Sequence, residues 1–228
     1  MNNVIGLYGA GSFGCEVAAL LPNFSYSIRE VIGSDDFEVV FIDSQIKTKE
    51  LMGIRILSEK EFLEIKNKSL YFTITISNPS VKNEIADRLI EKGIKPITLI
   101  YKGNIYLSDW EIGKGSIIMP NAIISNFVLI GDFVHINFGT YVGHNCRIGN
   151  FVTISPGVNC CGFVTLMDRS FIGAGATIIQ GDSSSYRYIG KDSVLGIGST
   201  LITNLPDNET YSGNPARTFG KIVKRVKQ

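Results

Sequence analysis

The chain has 228 residues, enough for one large domain or two small ones, and its 22 Lys and Arg residues nearly balance its 21 Asp and Glu residues. A formal charge of +1 gives no strong field, which argues against nucleic acid or an anionic membrane as a partner. The four cysteines lack metal-ligand spacing with a histidine, so we expect reduced thiols and no bound metal. No apolar run approaches a membrane span, and the short run at residues 4–8 lacks the basic stretch of a signal peptide, so we expect a cytoplasmic protein.

Strand and helix signals alternate over the first 100 residues or so. The predicted strands are residues 4–8, 39–43, 71–76 and 97–100. The predicted helices are one that carries residues 16–21 and ends near Pro22, a short one opened by the capping box of Ser58 and Glu61, and one from Asn78 and Pro79 to about Lys92, ended by Gly93. The alternation indicates a small parallel α/β sheet, about half of a dinucleotide-binding (Rossmann-like) fold, in a domain of residues 1–105.

A glycine-rich loop joins the first strand to the first helix. Gly9, Gly11 and Gly14 form a GxGxxG pattern, and Asp43 ends the next strand. By itself the pattern is typical of dinucleotide binding, in which loop amides hold phosphate and the acid holds a ribose. Four strands are too few for a complete dinucleotide fold, however, and tight packing of a strand on a helix also calls for glycine.

From Ile112 onward, apolar residues recur every six positions. The twelve residues at this step are Ile112, Ile118, Ile124, Ile130, Ile136, Val142, Ile148, Ile154, Cys160, Leu166, Ile172 and Ile178. The residues four places further along are small or β-branched: Ser116, Ala122, Val128, Val134, Thr140, Cys146, Val152, Val158, Val164, Ser170 and Ala176. The pattern breaks at residues 182–188 and resumes at Ile189, Leu195 and Leu201. No helix keeps a six-residue period and a plain strand needs only two, so the repeat indicates a short strand plus a corner.

Three such sides close a triangular coil of about eighteen residues. We predict about five coils between residues 112 and 206, with large apolar side chains filling the prism and glycines permitting the corners. This is the hexapeptide pattern of a left-handed parallel β-helix, an exception to the right-handed crossover rule. The second domain is assigned to residues 106–228, and its basic segment 221–227 is expected to be a solvated end.

The repeat predicts the orientation of both histidines. Val142 and Cys146 occupy inward positions, so His144 and Asn145 belong to a corner outside the prism. His135 precedes the inward Ile136 and is expected to face out from a flat side. An outward histidine is either an ordinary surface residue or a base that works near neutral pH, and orientation alone leaves both open.

Three segments resemble a known family. They are the segment "YGAGSFGCEV" with "FID" near the N-terminus, "FIGAGATIIQG" at residues 171–181 and "SGNPAR" at residues 212–217. Together with the hexapeptide repeat they resemble the bacterial left-handed β-helix acetyltransferases of sugar biosynthesis. That family includes N-acetyltransferases acting on nucleotide-linked 4-amino-4,6-dideoxy sugars and O-acetyltransferases acting on sialic acid.

The resemblance implies catalytic roles. His144 matches the family's general base, which takes a proton from the substrate amine or hydroxyl as it attacks the thioester of acetyl-CoA. Asn145 stands where the family usually has an acid, and it can accept a hydrogen bond from the ring without supplying charge. The backbone N–H of Gly162 is a candidate oxyanion donor. Thr153 matches a second histidine that contacts acetyl-CoA in the family.

The resemblance also implies binding positions and an assembly. Acetyl-CoA is expected in a groove between β-helices of neighbouring subunits of a homotrimer, near Gly173, Ala174, Gly196 and Ile197. The insertion at residues 182–188 either shapes that site or is a tolerated surface loop. The glycine-rich loop is expected to hold the nucleotide part of a nucleotide sugar, with Gly9, Gly11, Ser12, Phe13, Gly14, Asp43 and Gly53 as the matching positions.

Three functions remain to be compared. The first is N-acetylation of a nucleotide-linked 4-amino-4,6-dideoxy sugar for a surface glycan. The second is O-acetylation of sialic acid or a related sugar, for which a nucleotide loop has no purpose. The third is a non-catalytic β-helix scaffold that binds a nucleotide, consistent with the absent carboxylate at Asn145. A dinucleotide oxidoreductase comes last, because nothing outside the glycine-rich loop supports hydride chemistry.

Overall fold

The computed structural model describes residues 2–219, so the basic segment 221–227 lies outside the described residues. The chain divides into two compact units, residues 1–102 with 114–117 and residues 103–113 with 118–228. The predicted boundary between residues 105 and 106 differs from this division by three residues and in the assignment of 114–117.

The first unit is an α/β unit built on one mainly parallel sheet. Its strands are β1 (Asn3–Tyr8), β2 (Phe37–Ile42), β3 (Glu50–Leu51), β4 (Ile54–Leu57), β5 (Ser69–Ile74), β6 (Lys95–Pro96) and β7 (Leu99–Ile100). Its helices are α1 (Ser12–Ala19), a 3-10 helix (Leu21–Phe24), α2 (Ser25–Ile32), α3 (Glu59–Leu63) and α4 (Pro79–Glu91). The six-stranded sheet has the order β3-β4-β2-β1-β5-β6, and only the β3–β4 pair is antiparallel.

Two helix starts in this unit follow the predicted side-chain chemistry. The Ser58 hydroxyl accepts from the Glu61 N–H at 3.2 Å, and the Glu61 carboxylate accepts from the Ser58 N–H at 2.7 Å, which completes the capping box of α3. The Asn78 side chain accepts from the N–H groups of Ser80 and Val81 at the start of α4. Both predicted caps are therefore confirmed.

Other predicted elements in this unit were wrong in part. Of the fourth predicted strand, 97–100, only Leu99–Ile100 forms a strand, β7, whereas the strand that joins the parallel sheet, β6, lies before the predicted range. The helix α2 and the β3–β4 hairpin were not predicted. The start of α2 has no side-chain cap and each strand of the hairpin is short, so neither carries a clear local signal.

The second unit is built almost wholly of short strands. These are β8 (Ile105–Tyr106), β9 (Trp110–Ile112), β10 (Ile117–Ile118), β11 (Ile123–Ile124), β12 (Val128–Ile130), β13 (His135–Ile136), β14 (Tyr141–Val142), β15 (Arg147–Ile148), β16 (Thr153–Ile154), β17 (Asn159–Cys160), β18 (Val164–Leu166), β19 (Phe171–Ile172), β20 (Thr177–Ile178), β21 (Arg187–Ile189), β22 (Val194–Leu195), β23 (Thr200–Leu201), β24 (Thr210–Ser212) and β25 (Arg217–Thr218).

These strands stack on three faces of a left-handed parallel β-helix, which confirms the predicted fold class. The first face runs β10-β13-β16-β19-β22-β24-β25, the second β8-β11-β14-β17-β20-β23 and the third β9-β12-β15-β18-β21. Paired residues such as Ile124 and Val142 lie eighteen positions apart. The separation is 23 between Val164 and Arg187, so five extra residues, 182–186, leave the coil there. The predicted break was two residues too long, because residues 187 and 188 belong to β21.

The inside of the prism follows the six-residue step. All the residues at that step from Ile118 to Ile178 are buried, as are Ile189, Leu195 and Leu201 after the insertion, and the first one, Ile112, is partly buried. The smaller residues four places further on are buried beside them. The coil begins earlier than predicted, since Tyr106, one step before Ile112, already packs against this core.

His135 was predicted to face out from a flat side, and it does lie outside the prism, but it is covered rather than exposed to solvent. Alternation along β13 puts Ile136 inside the prism and His135 outside it, yet only 1% of His135 is exposed. Its neighbour on the same face, Thr153, is also buried. The register predicts which side of a strand a residue occupies, but the outer side is exposed only where nothing covers it.

We predict that adjacent isoleucines of β11 differ sharply in their contribution to stability. Ile124 is fully buried, whereas Ile123 on the opposite face is 36% exposed. Ile124→Ala should lower the free energy of unfolding by about 2–5 kcal/mol, because it leaves a cavity in the prism. Ile123→Ala is the matched control and should cost about 1 kcal/mol. Urea denaturation of both variants tests this, and equal losses would contradict the inward register.

Candidate functional site

The corner that follows β14 carries two polar side chains side by side. His144 and Asn145 form the turn between β14 and β15, and both are partly buried. Val142 before the turn and Cys146 after it are fully buried inside the prism. The imidazole therefore lies outside the prism, as the register predicts.

Asn145 meets a backbone requirement and a side-chain requirement at once. Its φ is +59°, in the left-handed region that asparagine tolerates better than most residues. Its Oδ1 lies 3.0 Å from Nδ1 of His144. With that amide oxygen as the acceptor, Nδ1 is the donor in this hydrogen bond. The contact leaves Nε2 as the ring nitrogen that can accept a proton from a substrate.

Gly162, one coil further along, lies against the imidazole. A Cβ on Gly162 would be 2.5 Å from both Cε1 and Nε2 of His144, so the ring has its position only because residue 162 has no side chain. The Gly162 carbonyl accepts from the Gly181 N–H at 3.0 Å, whereas its own N–H donates to no protein acceptor within residues 2–219. A free N–H on the residue that touches the base is suited to stabilising negative charge on a reacting oxygen.

A cavity of about 460 Å³ opens beside this corner. It combines aromatic, acidic and basic side chains with the amide that holds the imidazole. Its lining residues are Asp109, Trp110, Glu111, Phe127, Leu129, Asn145, Arg147 and Tyr186. This mixture of apolar walls and a few polar groups is typical of a small-molecule site.

The positions predicted to contact acetyl-CoA lie on another edge of the prism. Gly173 and Ala174 follow β19, and Gly196 and Ile197 follow β22, both strands of the first face, whereas His144 follows a strand of the second face. A Cβ on Gly173 would be 2.6 Å from the Ile197 nitrogen, so the two corners stack directly. Ile197 is 79% exposed. Within one chain, the structure groups these four residues together and keeps them apart from His144.

Thr153 does not join either group. Only 2% of the residue is exposed, and it lies in β16 between His135 of β13 and Phe171 of β19. Thr153 therefore lies on a covered flat side of the prism, and its contact with acetyl-CoA stays a prediction.

The three glycines of the glycine-rich loop differ in whether the structure requires a residue without a side chain. Gly9 has a φ of +111°, and a Cβ on Gly14 would be 2.1 Å from the Gly9 carbonyl oxygen, so both are required by the turn and by close packing of α1. A Cβ on Gly11, the N-cap of α1, would meet nothing within 4 Å. No packing contact therefore requires glycine at position 11, and the space beside its Cα is open. Ser12 and Phe13 follow Gly11 in the first turn of α1, at the positive end of the helix dipole, which favours an anion.

Asp43 is tied to the glycine-rich loop. Its Oδ2 accepts from the Ala10 N–H at 3.0 Å, and its Oδ1 accepts from the Gln45 N–H at 2.8 Å. Each carboxylate oxygen has further lone pairs, so a ribose hydroxyl can still donate to it. The structure adds a role that the sequence did not predict, which is to hold the loop at the end of β2.

Gly53 lies apart from these residues. It has a φ of +75° beside Met52 at +55°, so the tight β3–β4 turn by itself accounts for the glycine. A cavity of about 380 Å³ next to Asp43 includes Lys47, Lys49 and Arg55 in its lining but not Gly53.

Tyr8 forms a cluster that sequence reasoning missed. Its hydroxyl donates to Glu59 at 2.7 Å and accepts from Arg88 at 3.1 Å. Burial first, and then the hydrogen bond to Glu59, raise the pKa of Tyr8 to about 12. The three residues are far apart in sequence, so no local signal connects them. The cluster anchors the end of β1 from which the glycine-rich loop begins.

Comparisons with known proteins cover nearly the whole chain. No protein-family model matches it. It is 35% identical over 215 residues to the GDP-perosamine N-acetyltransferase of Escherichia coli O157:H7, which covers 94% of this chain and 96% of the relative. The solved structure of WeeI from Acinetobacter baumannii AYE superposes with a TM-score of 0.86 at 32% identity, covering 95% of this chain and 100% of the other. The acetyltransferase domain of PglB from Neisseria gonorrhoeae FA1090, in complex with acetyl coenzyme A, gives 0.82 at 25% identity, covering 96% and 100%.

The chain belongs to the family of hexapeptide-repeat sugar N-acetyltransferases. As a member it is an acyltransferase, which confirms the resemblance drawn from its sequence motifs. Within residues 2–219, no helix is long and apolar enough to cross a membrane. No group of three or more His, Cys, Asp or Glu side chains in the same part of the chain is arranged to hold a metal ion.

We predict that Gly162→Ala reduces the acyltransferase rate at least tenfold without unfolding the protein. The new methyl group would displace the His144 ring, and φ at residue 162 does not lie in the left-handed region, so the backbone accepts alanine. The rate and the urea midpoint measure the two effects. In a His144→Ala background the methyl has room, so the second change should add nothing. A full rate in Gly162→Ala would contradict this geometry.

Proposed function

We propose that the chain transfers the acetyl group of acetyl-CoA to the amine of a nucleotide-linked 4-amino-4,6-dideoxy sugar used for a surface glycan. The observation that carries this is the corner of His144, Asn145 and Gly162. It combines a ring nitrogen that can accept a proton, a side-chain acceptor that orients the ring, and a backbone N–H with no protein acceptor within residues 2–219. Family membership supplies the reaction class.

His144 serves as the general base in this proposal. Nε2 accepts a proton from the sugar amine as the amine nitrogen bonds to the acetyl carbonyl carbon. The Nδ1–H donated to Asn145 keeps the ring in the required tautomer. The carbon–sulfur bond then breaks, and the proton held on Nε2 returns to the thiolate, which leaves as CoA thiol. Acetyl-CoA supplies the activated carbonyl as a thioester, and no further reactant is needed.

The Gly162 N–H is proposed to stabilise the negative charge that develops on the carbonyl oxygen. The charge forms next to the atom that takes the proton, because residue 162 contacts the imidazole. A preorganised amide of this kind typically contributes about 100-fold or more to a rate.

We further propose that the working enzyme is a homotrimer. His144 and the stacked Gly173 and Gly196 corners lie on different edges of one prism. A single chain therefore presents two halves of the expected site, and an edge of a neighbouring copy can complete each half. The exposed Ile197 at that edge is suited to burial in such an interface.

The nucleotide of the substrate is proposed to bind at the glycine-rich loop. Gly11 leaves space at the start of α1, where N–H groups favour phosphate. Lys47, Lys49 and Arg55 in the neighbouring cavity add positive charge for an anionic nucleotide. We propose the cytoplasm as the location, because activated sugars and acetyl-CoA are both made there.

We expect His144→Ala to lower kcat at least about 100-fold, because the amine then has no base in contact. The assay follows thiol release from acetyl-CoA with GDP-perosamine, with a UDP-linked 4-amino-4,6-dideoxy sugar and with free sialic acid. Light scattering is the control, and both wild type and variant should have three times the mass of one chain.

Three outcomes of these measurements distinguish the competing functions. Turnover with free sialic acid alone would favour O-acetylation. Nucleotide binding by calorimetry without any affinity for acetyl-CoA would favour a scaffold. A full rate in His144→Ala would overturn the assigned base.

We expect Asn145→Asp to move the acidic limb of the pH–rate profile to higher pH, by about one unit. A carboxylate 3 Å from Nδ1 stabilises the imidazolium, so the basic form of His144 appears only at higher pH. Asparagine and aspartate both tolerate the left-handed backbone of residue 145. Asn145→Gly keeps that backbone but removes the acceptor, so it should lower kcat without this shift. An acidic limb that stays in place in Asn145→Asp would show that residue 145 does not act on the imidazole.

A further inference from the structure

The five-residue insertion 182–186 is fixed to the coil that carries Gly162. The Gly181 N–H donates to the Gly162 carbonyl, and the Arg187 N–H donates to the Phe163 carbonyl, both at 3.0 Å. A Cβ on Gly181 would be 2.5 Å from the Phe163 oxygen and from the Arg187 nitrogen, so the two ends of the loop meet closely. The insertion therefore begins and ends against the residues next to the imidazole.

The tip of the insertion has a definite shape. The Asp182 carboxylate accepts from the backbone N–H groups of Ser184 and Ser185 at 2.9 and 2.8 Å, and from the Ser184 hydroxyl at 2.6 Å. These hydrogen bonds, the Ser184 hydroxyl first, hold the pKa of Asp182 below its usual value. The loop thus closes on itself and directs the next residue, Tyr186, back toward the prism.

Tyr186 is partly buried between two side chains of the site. Its ring packs edge-on against Phe163, with centroids 5.5 Å apart and an interplanar angle of 90°. The Arg147 guanidinium carbon lies 5.2 Å from the centre of the same ring, a cation–π contact. Arg147 and Tyr186 also line the cavity beside Asn145. The loop thereby adds an aromatic wall to the corner.

Phe163 contacts the His144 ring as well as the Tyr186 ring. Its ring lies 5.0 Å from the His144 ring at 87°, again edge to face. Its φ is +54°, a conformation for which glycine or asparagine is the ordinary choice. Phenylalanine also occupies the equivalent left-handed corner position at Phe127, Phe133 and Phe151, and at Phe163 its ring contacts the imidazole.

We propose that Tyr186 is a positioning residue for the acyl transfer, and this inference rests on the proposed function. Asn145 holds one nitrogen of the imidazole and leaves the tilt of the ring free. Phe163 restricts that tilt, and Tyr186, held by Arg147, supports Phe163 at its partly exposed corner. The insertion thereby keeps Nε2 of His144 aligned with the substrate amine.

The test uses the full chain with acetyl-CoA and the nucleotide sugar that it turns over. Tyr186→Ala should lower kcat about ten- to a hundredfold and leave both KM values within about twofold, because a misaligned base affects the reaction more than binding. Tyr186→Phe keeps the ring and should retain nearly the full rate. Tyr188→Ala is the matched control, since Tyr188 follows two positions later and is 38% exposed, and it should behave as wild type.

A double-mutant cycle distinguishes positioning from a separate role. If Tyr186 acts through His144, then Tyr186→Ala should not reduce further the residual rate of His144→Ala. An equal reduction in both backgrounds overturns the proposal, as does a rise in KM with kcat unchanged. A full rate in His144→Ala overturns the proposed function itself. A low rate in His144→Ala with a full rate in Tyr186→Ala overturns only the positioning role.

Discussion

The close stacking of each coil on the one before it is the constraint on which the rest of the second unit depends. A Cβ on Gly143 would be 2.6 Å from the Gly162 nitrogen, and a Cβ on Gly173 would be 2.6 Å from the Ile197 nitrogen. Backbones that approach this closely leave a corner residue little freedom, because the next coil limits it directly. Two neighbouring coils therefore fix the position of His144. Its ring contacts the backbone at Gly162 and the side chain of Phe163. The imidazole is thus held in place before a substrate arrives, which limits the reorganisation that its proposed role as base requires.

The same constraint gives a physical account of Asn145. The corner requires a left-handed backbone, and the base requires an acceptor for its Nδ1 proton. Asparagine meets both requirements with one short side chain. A histidine–asparagine pair also has one ionisable group fewer to desolvate than a histidine–aspartate pair. The missing acid is therefore a consistent choice rather than a defect of the site.

The six-residue repeat was predictable because every inward position must be apolar and every corner must turn. Those two demands by themselves place Val142 and Cys146 inside the prism and His144 outside it. The repeat does not show where the outer faces of the prism are covered, so the burial of His135 and Thr153 could not be predicted from it. Contacts between segments that are far apart in sequence could not be predicted either. Two examples are the hydrogen bond of Asp43 to the glycine-rich loop and the contacts of the insertion with the site. Both depend on the course of the chain in space, which a local sequence pattern does not show.

The insertion leaves the coil and returns to it without changing the strands on either side. Register partners before it are 18 positions apart and those across it are 23, and the inward step resumes at Ile189. The loop is thus a separable module, since its sequence and length can vary while the prism keeps its own packing. Substitutions in residues 182–186 should therefore cost little in folding, whereas one at Tyr186 should change the support of the His144 ring. In this fold, the alignment of the imidazole and the stability of the prism are assigned to different stretches of the chain.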